Sequence, residues 1–231
     1  MKSIWQAIHN PPKSRILKLE AQIKAWQKAG RKMKWEIDRP AFETIGPIPE
    51  LSEADRRAGF SGVILSYGFG DDGCGHCDPV LSGRLAWEYA LKKRRVKSWQ
   101  CQYIDFADAS HFRLRPKAPP RPKGFYFAKF REGEICSDLT VARFRKGLDK
   151  QDTGCGPEGI QLLTITHPHL ARLMNRREIL FMAFADYDVA PYGFYDFFDA
   201  LQMFCSNDTL GLGIGNVDRN YAGFGIPTLR F

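Results

Sequence analysis

The stretch Ile160-Gln161-Leu162-Leu163-Thr164-Ile165-Thr166, then Pro168 to Arg176, then Ile179-Leu180-Phe181-Met182-Ala183-Phe184-Ala185, decides how this sequence is read as a fold. Both seven-residue runs are apolar, with the β-branched and aromatic side chains that suit buried strands. The segment between them, opened by Pro168, suits a short helix. Two apolar strands around a helix predict a βαβ unit with parallel pairing. The expected class is therefore α/β or α+β, a mixed sheet containing this C-terminal βαβ unit, with a basic helix at the N-terminus.

Towards the N-terminus, a helix is expected from Pro11 to Ala29. Asn10 suits its cap, Pro11 its first position and Gly30 its end. Ile16, Leu19, Ile23 and Trp26 fall on one face, while Lys18, Lys24 and Lys28 lie elsewhere. Met33, Trp35 and Ile37 alternate as a strand edge would. Gly62 to Phe69 reads as a buried strand, Pro79 to Arg95 as a helix, and Trp99, Cys101 and Tyr103 as the start of another strand. Gly124 to Phe130 is a further strand, Asp138 caps a short helix ending near Gly147, and Phe224 to Phe231 is a last strand. Glycine-rich 210–216 lacks a Walker lysine and dinucleotide spacing, so it reads as a turn or a tight backbone crossing. Residues 113–123 hold four prolines and five basic residues, which predicts an extended loop or linker. It divides a basic part, 1–112, from an α/β part, 124–231, the two reading as one continuous domain.

A length of 231 residues with 44% hydrophobic and 26% charged residues suits a globular chain able to bury a large core. No run of about 18 apolar residues is present, and Met1 to Gln6 has no apolar signal core, so a soluble, cytoplasmic protein is expected. Its six cysteines then read as reduced thiols or metal ligands. The net charge of +8 is uneven: residues 1–150 carry 29 Lys and Arg against 17 Asp and Glu, and residues 151–231 carry 5 against 9. Such a split suits a polyanion surface joined to a part able to hold cations.

Four constellations could carry chemistry. Asp186 and Asp188 follow the second apolar run, where alternation points both carboxylates one way, so together they could hold Mg²⁺ or Mn²⁺ for a phosphate-bearing substrate. Glu158, Asp196 and Asp199 could add oxygen ligands. His167 and His169 sit at the end of the first run, which a βαβ unit places beside those aspartates, where either could serve as a general acid/base or as a ligand. Cys74 and Cys77 are spaced to close on one zinc, with further ligands from His76, Cys101, Cys136, Cys155, His167 or His169. Lys92, Lys93, Arg94, Arg95 and Lys97, with Arg113, Arg115, Lys117, Arg121 and Lys123, could contact the phosphates of a nucleic acid or another polyanion.

Cys74-Gly75-His76-Cys77, between a strand and a helix, resembles the active site of protein disulfide isomerases of the thioredoxin superfamily. Gly225-Ile226-Pro227-Thr228 is similar to their cis-proline segment. Gly73 stands where those enzymes carry Trp, and the proline segment lies far downstream. The resemblance implies thiol exchange through Cys74 and Cys77. Three function classes are thus expected: a divalent-metal enzyme on a phosphate-bearing or nucleic-acid substrate, a zinc-stabilised module binding nucleic acid or protein, and a thiol oxidoreductase.

Overall fold

The computed structural model describes residues 15–37, 45–93, 99–100, 109–132, 139–171, 181–190, 197, 199–206, 209–219 and 224–231. Its helices are α1 (Leu19–Met33), α2 (Glu53–Arg57), α3 (Pro79–Lys92), α4 (Val141–Gly147) and α5 (Pro157–Gln161), the last continuing as a π-helical turn over Leu162–Thr166. Its strands are β1 (Gly62–Gly68), β2 (Trp99–Gln100), β3 (Phe112–Leu114), β4 (Gly124–Arg131), β5 (Thr153–Gly154), β6 (Phe181–Val189), β7 (Asp199–Ser206), β8 (Thr209–Asn216), β9 (Phe224–Gly225) and β10 (Thr228–Arg230). One sheet runs β1-β4-β10-β5, antiparallel throughout. The other runs β2-β8-β7-β6-β3, with β9 also beside β6, and is antiparallel except for the β2–β8 and β6–β9 pairs. The class is α+β. The main core gathers Trp26, Leu65, Trp87, Phe130, Ile160, Leu163, Phe184, Tyr187 and Leu201 from both sheets and their helices.

The expected βαβ unit is not formed. Ile160–Thr166 is helical, and β6 takes antiparallel neighbours in β7 and β3. Pro157 at the first helical position, Glu158 in the first turn and burial on every side explain the error, because a short apolar run reads alike as a buried strand or a buried helix. The Thr164 hydroxyl donates back to Ile160 O, in the turn where the helix widens. Residues 168–171 are helical, and 172–180 lie outside the described residues.

The first helix also sits later than expected. Leu19–Met33 passes through Gly30 and ends on Lys34, which takes the left-handed conformation (φ 60°). Gly30 serves packing instead, since a Cβ there would meet the Ile37 side chain at 3.3 Å. Asn10 and Pro11 lie outside the described residues, and residues 34–37 form no strand. The expected strands at Gly62 and Gly124 are present, as is the helix opened by Pro79, capped by the Asp78 carboxylate. Thr140 caps α4, Asp138 being outside the described residues. The last segment divides at Pro227 into β9 and β10, which join different sheets. The 210–216 glycines lie in β8, where Gly211 makes room for the Phe204 ring and Gly215 for the Gln202 amide.

Strand β1 is an edge whose outward backbone is paired by side chains. The Gln22 amide accepts from Leu65 N (2.8 Å) and donates to Val63 O (2.9 Å). The Trp26 indole donates to Leu65 O, and the Gln161 amide exchanges two bonds with Tyr67. Two buried glutamines thus stand in for a further strand, which removes a pairing edge and docks α1 and α5. Gln161→Leu, of similar volume, is expected to strand the Tyr67 N–H and C=O and cost about 2–5 kcal/mol in urea unfolding. A loss below about 1 kcal/mol would sink this account of the edge.

Candidate functional site

Strand β6 runs on to Val189, so Asp186 and Asp188 lie inside it and not beyond its end. The proline-rich segment comes alongside: Arg113 is in register with Asp188, and Arg115 N donates to Asp186 O. The arginines and aspartates that the sequence assigns to different partners therefore face each other. Arg115 directs Nε and Nη2 at Asp186 Oδ1 (3.3 and 3.1 Å). Arg113 reaches Asp188 Oδ2 at 3.7 Å and stacks on the Phe197 ring. Arg145, on α4, donates from Nε to Ala185 O and approaches Asp188 Oδ1 at 2.8 Å.

Arg121 is the centre of the cluster. Its side chain is fully buried. Nε donates to Glu158 Oε1 (2.7 Å), Nη1 to Pro119 O (2.7 Å), and Nη2 to both Asp186 Oδ2 (2.9 Å) and Gly154 O (3.1 Å). The Thr153 hydroxyl donates to Asp186 Oδ2, and Tyr126 donates to Glu158 Oε1. Glu158 Oε2 accepts from Gly156 N. Burial works against the Arg121 charge, but Glu158 and Asp186 outweigh it and push its pKa up. Burial also drives the Tyr126 phenol and the Cys155 thiol well above their usual ranges, so both are neutral at pH 7.

This arrangement holds elements together, and its donors are spent internally. Among the described residues, no group of three or more His, Cys, Asp and Glu is placed to hold a metal ion. Asp199 begins β7, its carboxyl raised by burial, and Asp196 is outside the described residues. Sequence reasoning missed Tyr126, Arg145 and Thr153. The Pro157-Glu158 helix start was the one signal that would have placed Glu158.

The histidines meet the N-terminal segment. His167 is buried, its Nε2 accepts from Leu17 N at 2.9 Å, and its Nδ1 lies 2.8 Å from the Thr166 hydroxyl. His169 Nε2 lies 3.1 Å from Arg15 O. Burial, with His169 beside it, lowers the His167 pKa to about 3, so the ring is neutral and acts as an acceptor.

In the Cys74–Cys77 loop, Gly73 and Gly75 take positive φ, and Asp72 Oδ1 accepts from Cys74 N and His76 N. The His76 ring rests on the Asp72 carboxylate at 3.2 Å. Cys74 is exposed, whereas Cys77 is buried and its thiol is pushed up to about 11 by desolvation. Zinc binding and thiol exchange both require a thiolate, which this burial opposes at Cys77. Cys101 and Cys136 lie outside the described residues.

The basic clusters divide. Arg113, Arg115 and Lys123 are paired with Asp188, Asp186 and Asp71, while Arg121 lies in the interior where it touches no outside partner. Lys117 and Lys92 are exposed, and the Lys93 ammonium sits 5.7 Å from the Tyr89 ring centre. Arg94, Arg95 and Lys97 are outside the described residues. No helix among the described residues is long and apolar enough to cross a membrane.

Arg121→Met is expected to cost about 3–5 kcal/mol, because Glu158 and Asp186 lose their buried counter-charge, and adding Glu158→Gln and Asp186→Asn should recover part of it. A single variant as stable as the parent in denaturant unfolding would contradict this role. The folded His167 is neutral, whereas the unfolded chain binds a proton there near pH 6.5, so stability should fall as pH drops from about 6.5 towards 3. The contribution approaches about 1.4 kcal/mol per pH unit, and His167→Asn should flatten the profile.

Comparison with protein-family models, with curated proteins and with solved structures found no match.

Proposed function

We propose that this chain is a non-enzymatic module that binds nucleic acid through the phosphate backbone, with the outer face of α1 as its contact surface. One observation carries the reading. Lys24, Lys28, Arg31 and Lys32 on α1, with Lys34 at its end, are all exposed, and among the described residues none of them has an ion-pair partner. The spacing of Lys24, Lys28 and Arg31 sets them opposite Gln22, Trp26 and Ala29, the face by which the helix is fixed to β1, with Lys32 at the flank. A row of cations on a docked helix meets a phosphate backbone without ordering new chain, and displaces condensed counterions from it.

The state of the other candidate groups supports a binding role over catalysis. The His167 ring is neutral and bonded on both sides, the Cys77 thiol is protonated at pH 7, and Asp186 and Asp188 face the chain's own arginines.

Fluorescence anisotropy with a labelled oligonucleotide, over a salt series starting at roughly 50 mM, tests the reading. Binding is expected to weaken log-linearly with salt. Lys24→Glu/Lys28→Glu/Arg31→Glu, which keeps helix-forming residues on an exposed face, is expected to weaken it at least about tenfold and flatten the slope by about one per lost contact. No binding at the lowest salt, or an unchanged slope in the charge-reversed protein, overturns the reading.

A further inference from the structure

Arg121 places all three of its guanidinium nitrogens on acceptors inside the protein, but the three arginines around it do not. Arg115 uses Nε and Nη2 on Asp186 Oδ1. Arg145 uses Nε on Ala185 O and directs Nη2 at Tyr187 O and Asp188 Oδ1. The Arg113 nitrogen nearest to Asp188 is Nε, still 3.7 Å from Oδ2. Each of the three therefore turns its Nε edge to the protein. Among the described residues, Nη1 of Arg115, Nη1 of Arg145 and both Nη groups of Arg113 have no hydrogen-bond acceptor.

Two strands and a helix bring these groups together. Arg113 lies in β3 and Arg115 just beyond it, and both meet β6 where its register with β7 breaks, between Phe184 and Asp188. Arg145 arrives from α4, so that it and Arg113 stand at the two oxygens of one carboxylate, Asp188. Arg115 is near enough for its charge to work against that of Arg145. The ion pairs of the whole cluster join four arginines (Arg113, Arg115, Arg121 and Arg145) to three carboxylates (Glu158, Asp186 and Asp188), which leaves one cation in excess. Cover is graded across it. The side chains of Arg115 and Arg145 are only 16% and 14% exposed, whereas that of Arg113 is 48% exposed. The Arg113 guanidinium lies over the Phe197 ring, 3.9 Å from its centre, which sets its plane and leaves its Nη end open. A guanidinium stacked in this way keeps its donors in the fork that planar oxyanions fit.

We propose that Arg113, Arg115 and Arg145 form a binding site for a phosphate dianion, either inorganic phosphate or the phosphate of a small monoester, taken by the Nη groups of the three guanidiniums. The chemistry of the acceptor follows from what is left over. The two oxygens of a carboxylate are already supplied by the chain's own Asp186 and Asp188. Three guanidiniums with unused donors and an excess of positive charge call for a third acceptor oxygen and a second negative charge, and a monoester phosphate at pH 7 has both. A backbone phosphodiester has one charge and two free oxygens, so it is the weaker match. The site is therefore separate from the α1 surface, shares no residue with it and does not rest on the nucleic-acid reading.

The test is titration calorimetry on the full chain at pH 7 and constant ionic strength, with chloride as the balancing anion. Three probes are compared: inorganic phosphate, methyl phosphate and dimethyl phosphate. Saturable binding of inorganic phosphate or methyl phosphate, with dimethyl phosphate at least about tenfold weaker, is the expected result. Methyl phosphate bound as well as inorganic phosphate assigns the site to a monoester, and inorganic phosphate alone assigns it to the free ion. Arg113→Gln removes the open guanidinium and leaves Asp188 its Arg145 partner, so the fold should hold by circular dichroism while affinity falls about tenfold. Arg145→Lys, which keeps the charge and loses the fork, should also weaken binding. Lys28→Glu on α1 should leave it unchanged. Phosphate that acts no differently from chloride, dimethyl phosphate that binds as well as the dianions, or full affinity in Arg113→Gln overturns the site, and each leaves the α1 reading standing. Loss of oligonucleotide binding in the α1 variants with phosphate binding intact separates the two in the other direction.

Discussion

A single guanidinium fixes the centre of this protein. Arg121 has no contact with water and places its donors on Glu158 at the start of α5, on Asp186 in β6, on Gly154 O in β5 and on Pro119 O in its own loop. Strand β5 belongs to one sheet and β6 to the other, so the cation is where the two sheets are tied. A buried ion in this position is a demanding constraint. Its desolvation is offset only while every donor and every opposing oxygen is paired, which is why Thr153, Tyr126 and Gly156 N complete the shell. The cluster therefore ties β5, β6, α5 and the proline-rich loop at one point.

The same economy of polar groups governs the free edge of the first sheet. Among the described residues strand β1 meets no further strand on its outer side, yet Val63, Leu65 and Tyr67 have backbone partners in Gln22, Trp26 and Gln161. A glutamine amide carries the donor and acceptor of a peptide group, so a helix can satisfy a strand without becoming one. This contact presses the apolar face of α1 inward and turns its lysines outward. It also buries Trp26 against Trp35, Tyr67, Phe69 and Phe125, so the outward charge of the helix and this aromatic packing come from one docking event.

For the candidate site, the residue types were legible in the sequence and their relations were not. The Asp186–Asp188 pair, the histidines and the proline-rich arginines each stand out in the chain. Alternation put the two carboxylates together, and the structure does place both on β6. Nothing local announces that Arg113 and Arg115 lie against that strand, because the β3–β6 pairing joins residues more than 70 positions apart. The two halves of an uneven charge map, one basic and one acidic, turn out to face each other in part. His167 likewise stands out as a titratable residue, but its role follows from Leu17, 150 residues away.

Elements with local punctuation were legible in the chain: β1 and β4 as short apolar runs and α3 from Pro79, whereas the class stayed open between α/β and α+β until the strand pairing was known. Helix–strand choice at Ile160–Thr166 was decided only by tertiary structure, because a segment buried on every side has no polar face to reveal its period. The end of α1 was decided in the same way, with Gly30 kept for Ile37 and the turn passed to Lys34. Above all, charge composition stated how many arginines and carboxylates there were. Which of them neutralise one another and which are left to meet a partner is a matter of distance, and only the folded chain sets distances.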